Sequence, residues 1–319
     1  LFAALVFALA LFVGAPMSTA HASEGQPAGW TTERASAEVI VGRVVLHYEP
    51  SLHDDAMDLA QRIPSMWSEI EQALSTDLDD RLHVYFMTHA GRVAAATDMP
   101  QWVAGVAHSS TGEIMIARHS PDGSPTNLEA LLKHEMAHVA LHRASGGAEV
   151  PRWFHEGVAE SFEDNVDLAR AQTLAGLVFG RGVPDIEDLD ASFYSDDPVV
   201  VSGAYAASRD LVNFLRYRDG TGDDFKQLLA ELRLGHTFDA SFIRTYKSGL
   251  RELVGEWRAG LPGRFVWYPL IAGGGMPLGV LLPLIIAAWV RRRRVLKAGW
   301  QRLEQEEVRL RESLGLTTA

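Results

Sequence analysis

The 319-residue sequence carries 29 Lys+Arg against 41 Asp+Glu, a formal net charge of −12, and no cysteine. Disulfides and thiolate metal sites are therefore excluded, and the acidic balance argues against nucleic acid as a partner. Twelve histidines are left as soft ligands, so any transition-metal site must be built from imidazole and carboxylate.

Leu1 to Pro16 is almost wholly apolar and is followed by the small-residue pattern Ala20-x-Ala22. This reads as a secretory signal peptide over residues 1–22, with an uncleaved anchor as the rival reading. Both readings place residues 23–262 outside the cytoplasm. Val39-Ile40-Val41 and Val44-Val45-Leu46 read as strand, interrupted by Gly42. From Asp54 to Leu74, apolar residues recur at Ala56, Leu59, Ile63, Met66, Ile70 and Leu74, the spacing of a helix, with Pro64 inside it. Leu82 to Met87 and Ile114-Met115-Ile116 are further strand candidates.

Pro125, Thr126 and Glu129 form a capping signal for a helix running to about Arg143 and ending at Gly146-Gly147. Pro151 opens the next helix, predicted to reach roughly Glu163, and beyond Pro184 the pattern is mostly helical through Trp257. No internal repeat is visible. The expected fold class is α+β, with a small N-terminal sheet and a helical C-terminal lobe.

Val266 to Val290 holds 25 residues without a charge, edged by Trp267, Tyr268 and Trp289 and followed by Arg291-Arg292-Arg293-Arg294. The length, the aromatic edges and the arginine block predict one transmembrane segment over residues 266–290, kinked by its prolines; the rival is a buried core helix. Residues 291–319 carry 8 Lys+Arg and 4 Asp+Glu, leaving −16 on the rest of the chain. The positive-inside rule then makes 291–319 a basic cytoplasmic tail, and residues 23–262 an extracytoplasmic domain on a single-pass anchor in the cell membrane.

The chemistry is concentrated in His134-Glu135-Met136-Ala137-His138, inside the well-capped helix. Residues four apart share a helical face, so both imidazoles can grip one ion, while Glu135 is rotated off them and is placed as a general base. Trp153-Phe154-His155-Glu156-Gly157-Val158-Ala159-Glu160 opens the next helix, with Glu156 eighteen positions after His138. Zinc held by three protein ligands and open at a fourth position requires one more donor, which Glu156 can supply. Glu160, one turn on, can accept the outward N–H of a ligand histidine. His142 shares the histidine face, but His134 and His142 are about 12 Å apart along the axis, so His142 is assigned to the surroundings of the ion or the cleft lining. His155 points about 100° away from Glu156 and is read as structural or exposed.

This order of residues resembles the gluzincin zinc metallopeptidases, the group that includes thermolysin and the aminopeptidase-N family, and most closely their compact peptidase MA-like branch. The likeness runs over about residues 80 to 257 and is strongest from Leu131 to Ser161. It implies a thermolysin-like catalytic domain, one Zn2+ ion on His134, His138 and Glu156, base catalysis by Glu135, and a peptide or protein substrate. The metzincin class would place a histidine at position 144, which is Ala144. Relatives of aminopeptidase N carry a tyrosine at a helix start after the ligand glutamate, which implies an oxyanion-stabilising role for Tyr205. They also lay an edge strand along the cleft, which maps substrate binding to Gly105 and to Ile114, Met115 and Ile116. Their amine-capturing Gly-x-Met-Glu-Asn motif is replaced here by Gly105-Val106-Ala107-His108-Ser109, and this departure favours an endopeptidase. The rival functions are a non-catalytic gluzincin-like scaffold for an envelope partner and a membrane adaptor acting through its tail.

Overall fold

The apolar runs near residues 39 and 44 pair as a hairpin. In the computed structural model, which describes residues 37–76, 80–97, 103–163 and 168–265 together with 286, 287, 289 and 291–293, β1 (Ala37–Val41) runs antiparallel to β2 (Val44–Tyr48). There follow α1 (His53–Leu74), β3 (Leu82–His89), α2 (Ala90–Thr97), β4 (Gly105–His108) and β5 (Glu113–His119). The rest is helical: α3 (Leu128–Ala144), α4 (Arg152–Glu160), α5 (Leu168–Gly176) with a π-helical extension Leu177–Arg181, α6 (Ile186–Ser192), α7 (Pro198–Tyr217), α8 (Asp223–Arg233), α9 (Phe238–Tyr246) and α10 (Leu250–Phe265). The class is thus mixed α+β, as expected. The chain divides into two units, Leu1–Gly263 and Arg264–Ala319. Among the described residues no helix is long and apolar enough to cross a membrane. The expected signal peptide, and nearly all of the expected span and tail, lie outside the described residues.

The sheet order is β1-β2-β3-β5-β4, with β2, β3 and β5 parallel and the two outer strands antiparallel to their neighbours. Central parallel strands are covered on both faces, and β5 accordingly reads Ile114-Met115-Ile116-Ala117, all fully buried. Leu46, Val84, Phe86, Ile114 and Ile116 alternate onto the face opposite Met87 and Met115 and are buried there. Met87, Met115, Ala117 and Val106 pack with Val93 and Ala96 of α2 on the other face.

Two expected boundaries move. The cap of α3 is Asn127, whose side chain accepts from the Ala130 amide at 3.3 Å; Thr126 instead donates its hydroxyl to the Ala117 carbonyl, tying the helix entry to β5. Tyr205 is not at a helix start: α7 begins at Pro198, capped by Asp197, and Tyr205 lies two turns inside it. A proline at the first helical position fixes that earlier start.

In the helical lobe, α4 lies directly on α7. A side chain at Gly157 would place its Cβ 2.5 Å from the Ser208 carbonyl oxygen and 2.7 Å from Val212 Cγ2, so only glycine lets the two backbones come this close. Gly157→Ala must push α7 away and is expected to destabilise the domain by about 1–3 kcal/mol. Thermal unfolding checks this: the midpoint should fall by several degrees, and an unchanged midpoint contradicts the close contact.

Candidate metal centre

His134, His138 and Glu156 meet at one point. His134 Nε2 and His138 Nε2 are 3.1 Å apart, and Glu156 Oε2 lies 3.8 Å from the first and 3.9 Å from the second. Zinc bonds of about 2.1 Å at tetrahedral angles put neighbouring ligand atoms about 3.4 Å apart, so the three donors fit one zinc ion. The three side chains are buried or nearly so, and Glu156 Oε2 is a buried oxygen without a hydrogen-bond partner among the described residues. Such an orphaned acceptor facing two imidazole nitrogens is what a cation would satisfy. Elsewhere among the described residues only His134 with Glu160 and Glu163 forms a comparable group, and there an arginine is already bound.

The rear of His134 is fixed by Glu163, whose Oε1 accepts from Nδ1 at 2.8 Å, leaving Nε2 to point at the other two donors. This corrects the expectation for Glu160. Helix α4 ends at Glu160, and the turn through Ser161 and Phe162 brings the later carboxylate under the imidazole. Glu160 is fully buried and ion-paired with Arg170, which also reaches Glu163 at 3.4 Å. Glu163 lies seven residues beyond Glu156, two helical turns, and that spacing was the available sequence signal.

The electrostatics follow from burial of like charges. Burial would lower His134, but the hydrogen bond and charge of Glu163, with Glu135 and Glu160, push it up to about 10; the pocket favours positive charge at this point. Burial works to raise Glu163, yet its bond to His134 and the arginines outweigh that and hold it below the usual carboxylate range. Glu160 is raised, first by burial and then by the charge of Glu163. His138 is pushed well down by burial and by the charges of His155, His134 and Arg152, which leaves it neutral. Its ring stacks on His155, with centroids 4.4 Å apart and planes 10° from parallel. His155 is therefore half-buried support for His138 and is not an exposed residue.

The start of α4 is built with care. Its N-cap is Pro151, which offers no side-chain acceptor, and Asp190 of α6 supplies one from outside by accepting from the amides of Arg152 (3.2 Å) and Trp153 (2.7 Å). Arg152 then turns its guanidinium towards Glu156 one turn on, with Nε 3.6 Å from Oε1. Burial and the charge of Glu156 raise the hydroxyl of Tyr205 well above the ordinary phenol range. Tyr205 is 1 % exposed and packs edge-on against Phe193. The packing of α4 on α7 puts Tyr205 in the neighbourhood of Glu156. Arg152, like Glu163, escaped the sequence reading, because a charged residue at a helix start gives no signal of its own.

Glu135 lies on the sheet side of α3. A Cβ at Gly105 would fall 2.7 Å from Glu135 Oε1, so the first residue of β4 abuts the carboxylate, and the absent side chain makes room for it. Burial raises Glu135 to about 7, with His134 opposing and Glu156 and Glu163 adding to the rise. β4 is the outer strand of the sheet; β5, which holds Ile114, Met115 and Ile116, is paired on both sides. The edge-strand expectation is therefore corrected from β5 to β4: the three β5 residues are core, and Gly105 alone of the four borders the site. His142 lies further along α3, outside the three-donor group, and is lowered by burial and by Arg143 and His108.

The profile of the Peptidase MA superfamily matches residues 70–263. The chain belongs to the Peptidase MA superfamily. No curated protein matches it. The matched span takes in α3, α4 and α7, hence every residue of the three-donor group as well as Glu135, Glu163 and Tyr205. A Peptidase MA domain points to a peptidase with a peptide or protein substrate, and the family is typically metal-dependent. In this Peptidase MA member the carboxylate behind His134 is the part of the centre most open to test. Glu163→Gln keeps the shape but loses the charge, and metal affinity is expected to fall by about 10- to 100-fold. Competition against a chromogenic chelator reads this directly; an unchanged affinity removes Glu163 from the centre.

Proposed function

We propose that the chain is a zinc-dependent endopeptidase held at the cell membrane with its catalytic domain outside the cytoplasm. The carrying observation is the convergence of His134 Nε2, His138 Nε2 and Glu156 Oε2 with Glu135 on the same helix. When bound on these three residues, a zinc ion supplies Lewis acidity to the attacking water and to the scissile carbonyl. Glu135 takes the proton of that water on its carboxylate and hands it to the leaving amine. The hydroxyl of Tyr205 donates to the oxyanion as it develops.

Substrate backbone pairs with the free edge of β4, an addition of one strand to the sheet. The absence of the amine-capturing motif at Gly105–Ser109 supports cleavage within a chain over removal of its first residue. The anchor is supported by the uncharged stretch 266–290 and by the arginines that follow it.

Replacing the proposed base separates binding from chemistry. Glu135→Ala should keep the wild-type metal content while hydrolysis of a fluorogenic peptide falls by about 10²- to 10⁴-fold. Turnover at the wild-type rate in the purified variant contradicts the assignment of Glu135.

A further inference from the structure

Glu163 steadies His134 from behind, but it does so beside a second buried carboxylate. One oxygen of Glu160, one oxygen of Glu163 and a ring nitrogen of His134 all lie within 4.8 Å of one another. Two carboxylates held this close out of water repel each other unless a cation lies between them. Arg170, on α5, supplies that cation through a single nitrogen. Its Nη2 lies 2.6 Å from Glu160 Oε2, 2.8 Å from Glu160 Oε1 and 3.4 Å from Glu163 Oε2. Both oxygens of Glu163 are thereby assigned: Oε1 accepts from His134 Nδ1 at 2.8 Å, and Oε2 accepts from Arg170. Among the described residues Arg170 pairs only with Glu160 and Glu163, and neither of these belongs to the three converging donors.

We propose that Arg170 is a positioning residue for the metal centre: by holding the charge of Glu160 it keeps Glu163 in place behind His134, and so sets zinc affinity without touching a ligand. The proposal rests on the zinc-peptidase reading above. It gives the two carboxylates separate tasks, Glu163 to orient the imidazole and Glu160 to anchor the arginine. Without the cation, the repulsion is relieved most easily at Glu163. Its side chain keeps 12 % exposure and stands beyond the end of α4, whereas Glu160 is on the helix at 0 % and has nowhere to go. A Glu163 that swings out leaves His134 Nδ1 without its acceptor, and Nε2 is then no longer held towards His138 and Glu156.

The test uses the full-length chain and reads zinc affinity by competition against a chromogenic chelator, with circular dichroism as the check on folding. The variants are Arg170→Met, Arg170→Lys, Glu163→Gln and the double variants Glu160→Gln/Arg170→Met and Glu163→Gln/Arg170→Met. Removing a positive charge near a cation site would by itself tighten zinc, so the sign is informative. Loss of positioning predicts zinc binding weaker by about tenfold or more in Arg170→Met, with Arg170→Lys between it and the wild type. Glu160→Gln should restore most of that loss, because it removes the charge that repels Glu163. In the Glu163→Gln background Arg170→Met should cost nothing further, since the residue through which it acts has already lost its charge. Equal or tighter zinc binding in Arg170→Met overturns the proposal. So does a loss of the same size in all three backgrounds, which would make Arg170 a support of the fold alone. Should Arg170→Met not fold, Arg170→Gln keeps hydrogen-bond donors without the charge and is read in the same three backgrounds. A wild type that binds no zinc overturns the underlying peptidase reading instead.

Discussion

Four glutamates, Glu135, Glu156, Glu160 and Glu163, are buried around two histidines, and the rest of the domain is arranged to make that tolerable. Taking a carboxylate out of water costs several kcal/mol per ion even after relaxation. Each of the four is answered in its own way. Glu160 has Arg170, Glu163 has His134 and Arg170, Glu156 has Arg152, and Glu135, which has no ion pair among the described residues, is raised to about 7. What is left over is a buried oxygen of Glu156 facing two imidazole nitrogens. A divalent cation held by these three donors would complete that balance.

The scaffold serves this balance through two close approaches. Gly157 lets α4 sink onto α7, which places Glu156 and Tyr205 in one neighbourhood, and Gly105 lets the outer strand abut Glu135. In both places a missing side chain sets the distance between a functional carboxylate and the element beside it. Glu135 lies on α3, Glu156 and Glu160 on α4, Glu163 just beyond it, and the arginines that answer them on α4 and α5, whereas the sheet contributes an edge and a platform.

How much of this could be read from the sequence depended on whether a residue acts through its spacing on one element or through a turn between elements. The pair His134 and His138 is legible because four residues make one turn, and Glu156 because it opens the next helix. Glu163 was missed in favour of Glu160 because the two stand seven and four residues beyond Glu156, on the same side of a helix. Spacing alone does not say which carboxylate reaches His134; the turn at Ser161 and Phe162 decides for Glu163. The edge strand was misplaced onto Ile114–Ile116 because a strongly apolar run reads as strand whether it lies in the centre or at the border. The true edge, Gly105–His108, is four residues long and has no clear alternation. Arg152 pairs with Glu156 one turn on, but it is held by Phe193 and Tyr194 at the end of α6, and no local pattern encodes those contacts.

The three converging donors are proposed to bind zinc. The most direct measurement is the zinc content of the purified full-length chain by elemental analysis, beside a Glu156→Ala variant. About one zinc per chain, lost or sharply reduced in the variant, is the predicted result. No zinc in either protein after incubation with excess metal and removal of the unbound ion would contradict the account and leave the domain as a metal-free scaffold.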